Sequence, residues 1–396
     1  MPWKKFSVLE ARAQFVLALK NKSESFASVC GRFGISRKSG YKWRQRYRAG
    51  GLKALGNASR RPRHRGKMHR FVWRMRLRKL RQEHPRWGAK KLRRLLKRAF
   101  PQARCVPAVS TLARWLAELH LVKKRKRRAR RGPLLPWRGV HAAKGCNQVW
   151  TIDFKGWFRT GDGRRCEPLT VRDLFSRYVL WVALLPNQSD TAVRRVLAQV
   201  FRRYGLPKVI RVDNGAPFGG KGALGLSRLS VWWLRLGIAV EFVRPAHPED
   251  NGAHEQMHRV FRADVAAPPA PSVAAQKRRI RAWIGCYNHE RPHEALGQRV
   301  PAQMYWPSNR PMPEQLPKVK YPCAWETRRV RNRGHIKWQG RERFVGRAFV
   351  GQVVGLNKVA KGIHEVYLDH HLIGLLYERD LAGMRPASIA RHPLEA

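Results

Sequence analysis

The sequence predicts a multidomain α/β protein. Two helical helix-turn-helix units come first, a mixed α/β core follows, and a small β-barrel-like domain ends the chain. Three observations predict this class. Apolar residues recur at helical spacing near the N-terminus, from about residue 147 apolar-rich strands alternate with amphipathic helices, and beyond Tyr321 only short strands and turns remain. With 396 residues, 43% of them hydrophobic, and 15 Trp, the chain has enough apolar material for several cores, so a disordered tail is excluded.

Charge narrows the partners. Lys and Arg number 83 against 25 Asp and Glu, a formal net charge of +58. Such a chain repels itself unless a polyanion screens it, and nucleic acid is the expected polyanion because its phosphates release counterions to Lys and Arg. A membrane surface is the weaker alternative. No apolar run is long enough to span a bilayer, and "MPWKKFSVLEARAQF" lacks the apolar stretch of a signal peptide. Cys30, Cys105, Cys146, Cys166, Cys286 and Cys323 form no C-x-x-C pair, which argues against a zinc finger or a disulfide scaffold and fits a reducing cytoplasm.

The first unit is placed at residues 1–58. Phe15, Val16 and Leu19 make one helical stripe, and Phe26, Val29, Cys30 and Phe33 another. Gly34 supplies a turn, and Ser36 is placed to cap a helix that mixes Arg and Lys with Tyr41, Trp43 and Tyr47. That is the helix-turn-helix plan, whose second helix enters the major groove, so Ser36, Arg37, Lys38, Lys42, Arg44 and Arg46 are the expected DNA contacts. The alternative is a three-helix bundle with a solvated basic face.

A second helix-turn-helix is placed at residues 66–122, with a break at His84-Pro85 and Ser110 or Thr111 near the entry to its last helix. Residues 123–146 read as a basic linker. Its "KKRKRRARR" run stays solvated by itself, and Lys123, Lys124, Arg125, Lys126, Arg127 and Arg128 are expected to follow phosphates unless they only solubilise the linker.

The core is placed at residues 147–310. "QVWTIDFKGWF" and "EPLTVRDLFSRYVLWVALLP" read as three strands in hairpin order. "SDTAVRRVLAQVFRRYG" is an amphipathic helix with Ser189 or Asp190 as cap. Strand "KVIRV", short helix "VWWLRLG" and strand "IAVEFV" follow, and another helix starts after "HPEDNG". Residues 316–390 form the β-barrel-like domain.

Acids are scarce here, so acids in apolar surroundings stand out. Asp153 sits inside a strand, where a charge is costly unless paired or bound to a cation. Asp213 stands where a strand runs out into Asn214-Gly215, and strand ends of α/β sheets are where ligands usually sit. Glu255 lies just inside the helix that begins after Asp250-Asn251-Gly252. Three carboxylates brought together repel one another unless a divalent metal holds them. Each also has a structural alternative: Asp153 paired with Lys155 or an Arg, Asp213 capping its turn, Glu255 paired with Arg259. Glu249 and Asp250 compete with Glu255 for the third position, though Asp250 reads as a turn or cap residue; Asp173 reads as the organiser of a strand bend, and Glu167 has no explanation.

His254-Glu255-Gln256-Met257-His258 also spells H-E-x-x-H, the zinc-protease helix. Asn251-Gly252 stand immediately before it, and no third-ligand helix follows before "AAPPAP", so this reading is poor. His254 and His258, with Asn214 and Asn251, are possible neighbours of the site; the two His are equally expected as surface residues.

The order Asp153, then Asp213-Asn214-Gly215, then Asp250-Asn251-Gly252-x-x-Glu255 resembles the integrase catalytic core of insertion-sequence transposases, the DDE class of the retroviral-integrase-like superfamily. "YNHERPHEALGQRVPAQMYWP" looks like the segment that follows the catalytic Glu in that family, "HPRWGAKKL" is similar to its second helix-turn-helix, and "RDLFSRYVLW" is a typical strand pair, so the resemblance covers residues 84–306. It implies an RNase H-like catalytic core, with Asp153, Asp213 and Glu255 as catalytic acids and metal ligands. It also implies two Mg²⁺ (or Mn²⁺) ions and cleavage and joining of double-stranded DNA at element ends and target. A homo-oligomer on DNA and a bacterial, nucleoid-associated setting come with it. The step from Asp213 to Glu255 is 42 positions, longer than the family's usual one, and the excess is placed in "GGKGALGLSR", residues 219–228. The alternative function is a catalytically inactive DNA-binding regulator or a transposase relic.

Overall fold

A computed structural model of the chain describes residues 7–21, 23–57, 70–122, 142–244, 251–381 and 383–387. The basic run 123–131, together with Glu249 and Asp250, lies outside the described residues. Two compact units divide the chain, Met1–Phe71 and Val72–Ala396.

The first unit holds α1 (Val8–Lys20), α2 (Phe26–Arg32) and α3 (Arg37–Gly50). Ser7, Ser25 and Ser36 take the N-cap positions, and each side chain accepts a backbone N–H of the first turn. Gly34 supplies the turn between α2 and α3 with a φ of 64°, a conformation that disfavours side chains with a Cβ. Phe15, Val16, Val29, Cys30 and Leu55 form the core.

The second unit begins with α4 (Arg70–Glu83), α5 (Ala89–Ala99) and α6 (Val109–Glu118), with Leu77, Leu92, Leu96, Leu112 and Trp115 fully buried. Neither Ser110 nor Thr111 caps α6; its N-cap is Ala108, which offers no side-chain bond.

The central sheet follows from β1 (Val149–Phe154), β2 (Phe158–Arg159), β3 (Arg165–Asp173) and β4 (Val179–Leu185). Next come α7 (Asp190–Tyr204), β5 (Val209–Val212), α8 (Arg228–Arg235) and β6 (Ala239–Phe242). Strand β3 runs antiparallel to β1, β2 and β4, whereas β5 runs parallel to both β1 and β6. Three antiparallel strands followed by two parallel ones are the topology of an RNase H-like core.

One sheet face is apolar. Trp150, Ile152, Leu169, Val171, Ile210 and Val212 bury against Val193, Leu197 and Phe201 of α7 and Leu229, Trp232 and Trp233 of α8. On the other side lie α9 (Gly252–Phe261) and α10 (Val273–Gly285), where Met257, Phe261, Ile280 and Trp283 form a second apolar cluster with Val179. Asp173 organises the β3–β4 bend as expected: its Oδ1 accepts from the Ser176 amide at 2.7 Å and its Oδ2 from the Asn147 amide at 2.8 Å. Glu167 pairs with Arg165 at 2.6 Å.

The C-terminal part corrects an expectation. It comprises β7 (Glu326–Arg329), β8 (His335–Trp338), β9 (Arg341–Phe344), β10 (Val353–Ala360), β11 (Ile363–Leu368), β12 (His371–Tyr377) and β13 (Arg385–Pro386). Among the described residues these strands do not close into a β-barrel. They form an open antiparallel sheet in the order β13-β12-β11-β10-β7 and a separate β8–β9 hairpin. The end strands β7 and β13 each pair with one neighbour, and the hairpin contributes Ile336 and Trp338 to the sheet's core instead of linking its edges. The segment 219–228 runs between β5 and the first residue of α8, and its Ala223 and Leu226 enter the same core, seating the C-terminal sheet.

Candidate active site

Strand pairing brings the first two acids together. β1 and β5 run parallel with Val149 opposite Val209, Trp150 opposite Ile210 and Thr151 opposite Arg211. Continuing that pairing by two residues sets Asp153 beside Asp213, at the carboxyl ends of neighbouring strands spaced about 4.8 Å. Asp153 is half-buried and Asp213 exposed. Glu255 is exposed in the first turn of α9, where the positive end of the helix favours a carboxylate.

Asp153 feels the charge of both other acids. Burial first, then the charge of Asp213, pushes the Asp153 carboxyl up to about 7, and the charge of Glu255 adds to the same rise. Burial also raises Asp213, against a hydrogen bond from the Gly215 amide at 3.3 Å. Asp213 therefore does cap its turn, as one alternative holds. No Lys or Arg among the described residues forms an ion pair with Asp153, and none pairs with Glu255. The Asn214 side chain donates to the Val243 carbonyl, and the buried Asn251 Oδ1, at the N-cap of α9, has no hydrogen-bond partner among the described residues.

His254 and His258 are not surface residues: they are 0% and 6% exposed. His254 Nδ1 lies 2.6 Å from Thr151 Oγ1 and its Nε2 2.7 Å from Thr170 Oγ1. His258 Nε2 lies 2.8 Å from the same Thr170 hydroxyl, which donates to the Asp153 carbonyl at 2.9 Å. His258 Nδ1 stands 3.6 Å from Asp153 Oδ2. Burial holds both imidazoles neutral, with His254 well below the usual range and His258 down to about 3. The buried Arg172, pushed down to about 10 by desolvation, donates from Nη1 to the Ala253 carbonyl and so ties the start of α9 to β3.

Asp153, His254 and His258 offer donor atoms within 4.8 Å of one another, a spacing compatible with an ion. His254 is spent, because both its ring nitrogens already make short hydrogen bonds. That also removes the H-e-x-x-H pair as two zinc ligands. Thr151, Thr170 and Arg172 were missed by sequence reasoning. A signal for them exists: polar residues alternate along otherwise apolar strands at Thr151 and Asp153, Thr170 and Arg172, and Arg211 and Asp213. In the first unit Arg37, Lys38 and Lys42 are exposed on α3. Arg44 stacks over Phe26 and Tyr41, Arg46 over Trp43, and the Ser36 hydroxyl is used by the cap. Lys123 to Arg128 lie outside the described residues.

These acids and histidines fall within two matches to the Integrase core domain, at residues 143–248 and 236–301. A Helix-turn-helix domain matches residues 11–63, a Homeodomain-like domain residues 39–116, and the IS481 family transposase C-terminal domain residues 325–380. The chain is 31% identical over 229 residues to the "Insertion element IS476 uncharacterized 39.2 kDa protein" of Xanthomonas euvesicatoria, covering 58% of this chain and 63% of that protein. It is 29% identical over 180 residues to the "Insertion element IS407 uncharacterized 31.7 kDa protein" of Burkholderia multivorans, covering 45% and 62%. The chain thus spans less than two thirds of the length of these relatives. A chain of the simian T-cell lymphotropic virus intasome matches with a TM-score of 0.36 and 15% identity, over 78% of this chain and 99% of that one, an overlay too loose to carry a functional argument. The chain resembles insertion-sequence transposases and matches the Integrase core domain over residues 143–301.

Proposed function

We propose that this chain is a DNA transposase that binds the ends of a mobile element and catalyses metal-dependent strand cleavage and strand transfer. The observation that carries the reading is the placement of Asp153 beside Asp213 across β1 and β5, with the charge of Glu255 acting on Asp153. Residues 1–58 and 66–122 read the element ends, 147–310 do the chemistry, and 316–390 hold DNA or another subunit. The 123–146 linker tracks phosphates.

The donor set fits a divalent cation. Burial first, then two negative neighbours, push Asp153 up to about 7, and a bound cation turns that repulsion into attraction. Asp153, Asp213 and Glu255 would hold Mg²⁺ or Mn²⁺, two ions as in other phosphoryl-transfer sites. Bound there, the ions supply charge stabilisation to the attacking and leaving oxygens of an in-line displacement. The chain's own part is positioning. The strands fix two acids rigidly, Thr151, Thr170 and Arg172 fix the helix that bears the third, and the basic helical units hold phosphates. Bringing two DNA ends together calls for a homo-oligomer on DNA, in a bacterial cytoplasm by similarity to the relatives.

The test incubates purified full-length protein with DNA carrying the element ends, a target plasmid and Mg²⁺. Joined products that vanish in EDTA support the reading. DNA that is bound but never cut or joined overturns it in favour of a regulator.

A further inference from the structure

Thr170 has one hydroxyl proton, and it goes to the Asp153 carbonyl at 2.9 Å. The two imidazole Nε2 atoms at 2.7 and 2.8 Å must then donate to the Thr170 oxygen. This fixes the tautomers. His254 carries its proton on Nε2, and its Nδ1 accepts from the Thr151 hydroxyl at 2.6 Å. His258 also carries its proton on Nε2, which leaves a lone pair on Nδ1.

Among the described residues that lone pair has no hydrogen-bond partner. The ring is 6% exposed, and Nδ1 looks at Asp153 Oδ2 across 3.6 Å, too far for a hydrogen bond. Two donors of one octahedral ion, each about 2.1 Å from it, stand roughly 3 Å apart, so a small turn of the ring closes the difference. The Nε2–H bond to Thr170 is the kind of outer contact that orients a metal-bound imidazole.

We infer that His258 Nδ1 is a ligand of the divalent ion held by Asp153, making a carboxylate–imidazole site that favours Mn²⁺ over Mg²⁺. The inference rests on the metal-dependent reading of the same acids. A nitrogen donor suits Mn²⁺ better than Mg²⁺, which strongly prefers oxygen and keeps its waters. His254 has no lone pair left and acts only as a positioning residue.

The test is pulsed electron paramagnetic resonance of Mn²⁺ on the full-length protein, with the nitrogen coupling read directly. Wild type should show a directly bound ¹⁴N that changes on ¹⁵N-histidine labelling. His258→Gln should lose that coupling and bind Mn²⁺ at least about tenfold more weakly, with a smaller loss for Mg²⁺. Mn²⁺ bound in an Asp153-dependent way with no nitrogen coupling overturns the inference and leaves the metal site standing. Mn²⁺ binding indifferent to Asp153→Asn overturns both. A coupling that survives in His258→Gln assigns the nitrogen elsewhere and overturns the inference. Should His258→Gln fail to fold, His258→Asn takes its place, and absence of ¹⁴N coupling in wild type remains decisive.

Discussion

His254 ties α9 to β3: its Nε2 lies 2.7 Å from the hydroxyl of Thr170, which is the register partner of Asp153. The other ring nitrogen holds Thr151 on β1, so one buried side chain fixes the helix bearing Glu255 to two strands. His254→Ala leaves a cavity and strips both threonine hydroxyls of a partner. We expect it to destabilise the protein by about 2–4 kcal/mol in denaturant unfolding. A loss under about 0.5 kcal/mol would remove the network from the account.

Asp153 makes stability depend on pH. Its folded-state value of about 7 lies above the ordinary 3.8, so folding favours the protonated form. The contribution is fully present below about pH 4 and is lost as pH rises through about 7. In chelator, Asp153→Asn should match wild type near pH 4 and be more stable than it at pH 8 by at least about 1 kcal/mol. A gap that does not change with pH contradicts the burial and repulsion described for this carboxyl.

Arg86, in the turn before α5, meets Asp264 at 2.5 Å, just beyond the end of α9. Lys90 of α5 pairs with Glu294. The Lys90–Glu294 pair is solvent-exposed and the Arg86–Asp264 pair partly so, and such pairs contribute little. A double-mutant cycle on Arg86 and Asp264 should give a coupling under about 1 kcal/mol that shrinks with salt. A coupling of several kcal/mol would mean that the contact is drier than its exposure implies.

Neutralising Lys38 and Lys42, both exposed on α3, should weaken binding to every DNA sequence. The log–log salt slope should fall by about 0.9 for each phosphate contact removed. An unchanged slope in a salt titration of affinity would take α3 off the DNA. Arg44 and Arg46 are less clean probes, because each also stacks on aromatic rings of the unit's own core.

Much of the core was legible because its signals are local. Ser36 before a basic helix, Asp213 before Asn-Gly, and Asp153 within an apolar strand each mark a place by chain-neighbour chemistry alone. The arrangement of the C-terminal strands was not legible. Closure depends on whether β7 and β13 meet, and nothing in "ETRR" or "RP" encodes a partner. The threonine–histidine network was hidden for a related reason: Thr151, Thr170 and His254 are far apart in sequence, and only strand register brings them together. Their period-two polarity was visible, but its purpose required knowing what covers that face.

The most direct test compares end-DNA binding with strand transfer in Asp153→Asn, Asp213→Asn and Glu255→Gln. The account predicts that each variant binds ends within about twofold of wild type while joined products fall at least about a hundredfold, the scale on which loss of a charge-stabilising group slows chemistry. Wild-type levels of joining in any one of the three, or a parallel collapse of DNA binding in all, would contradict it.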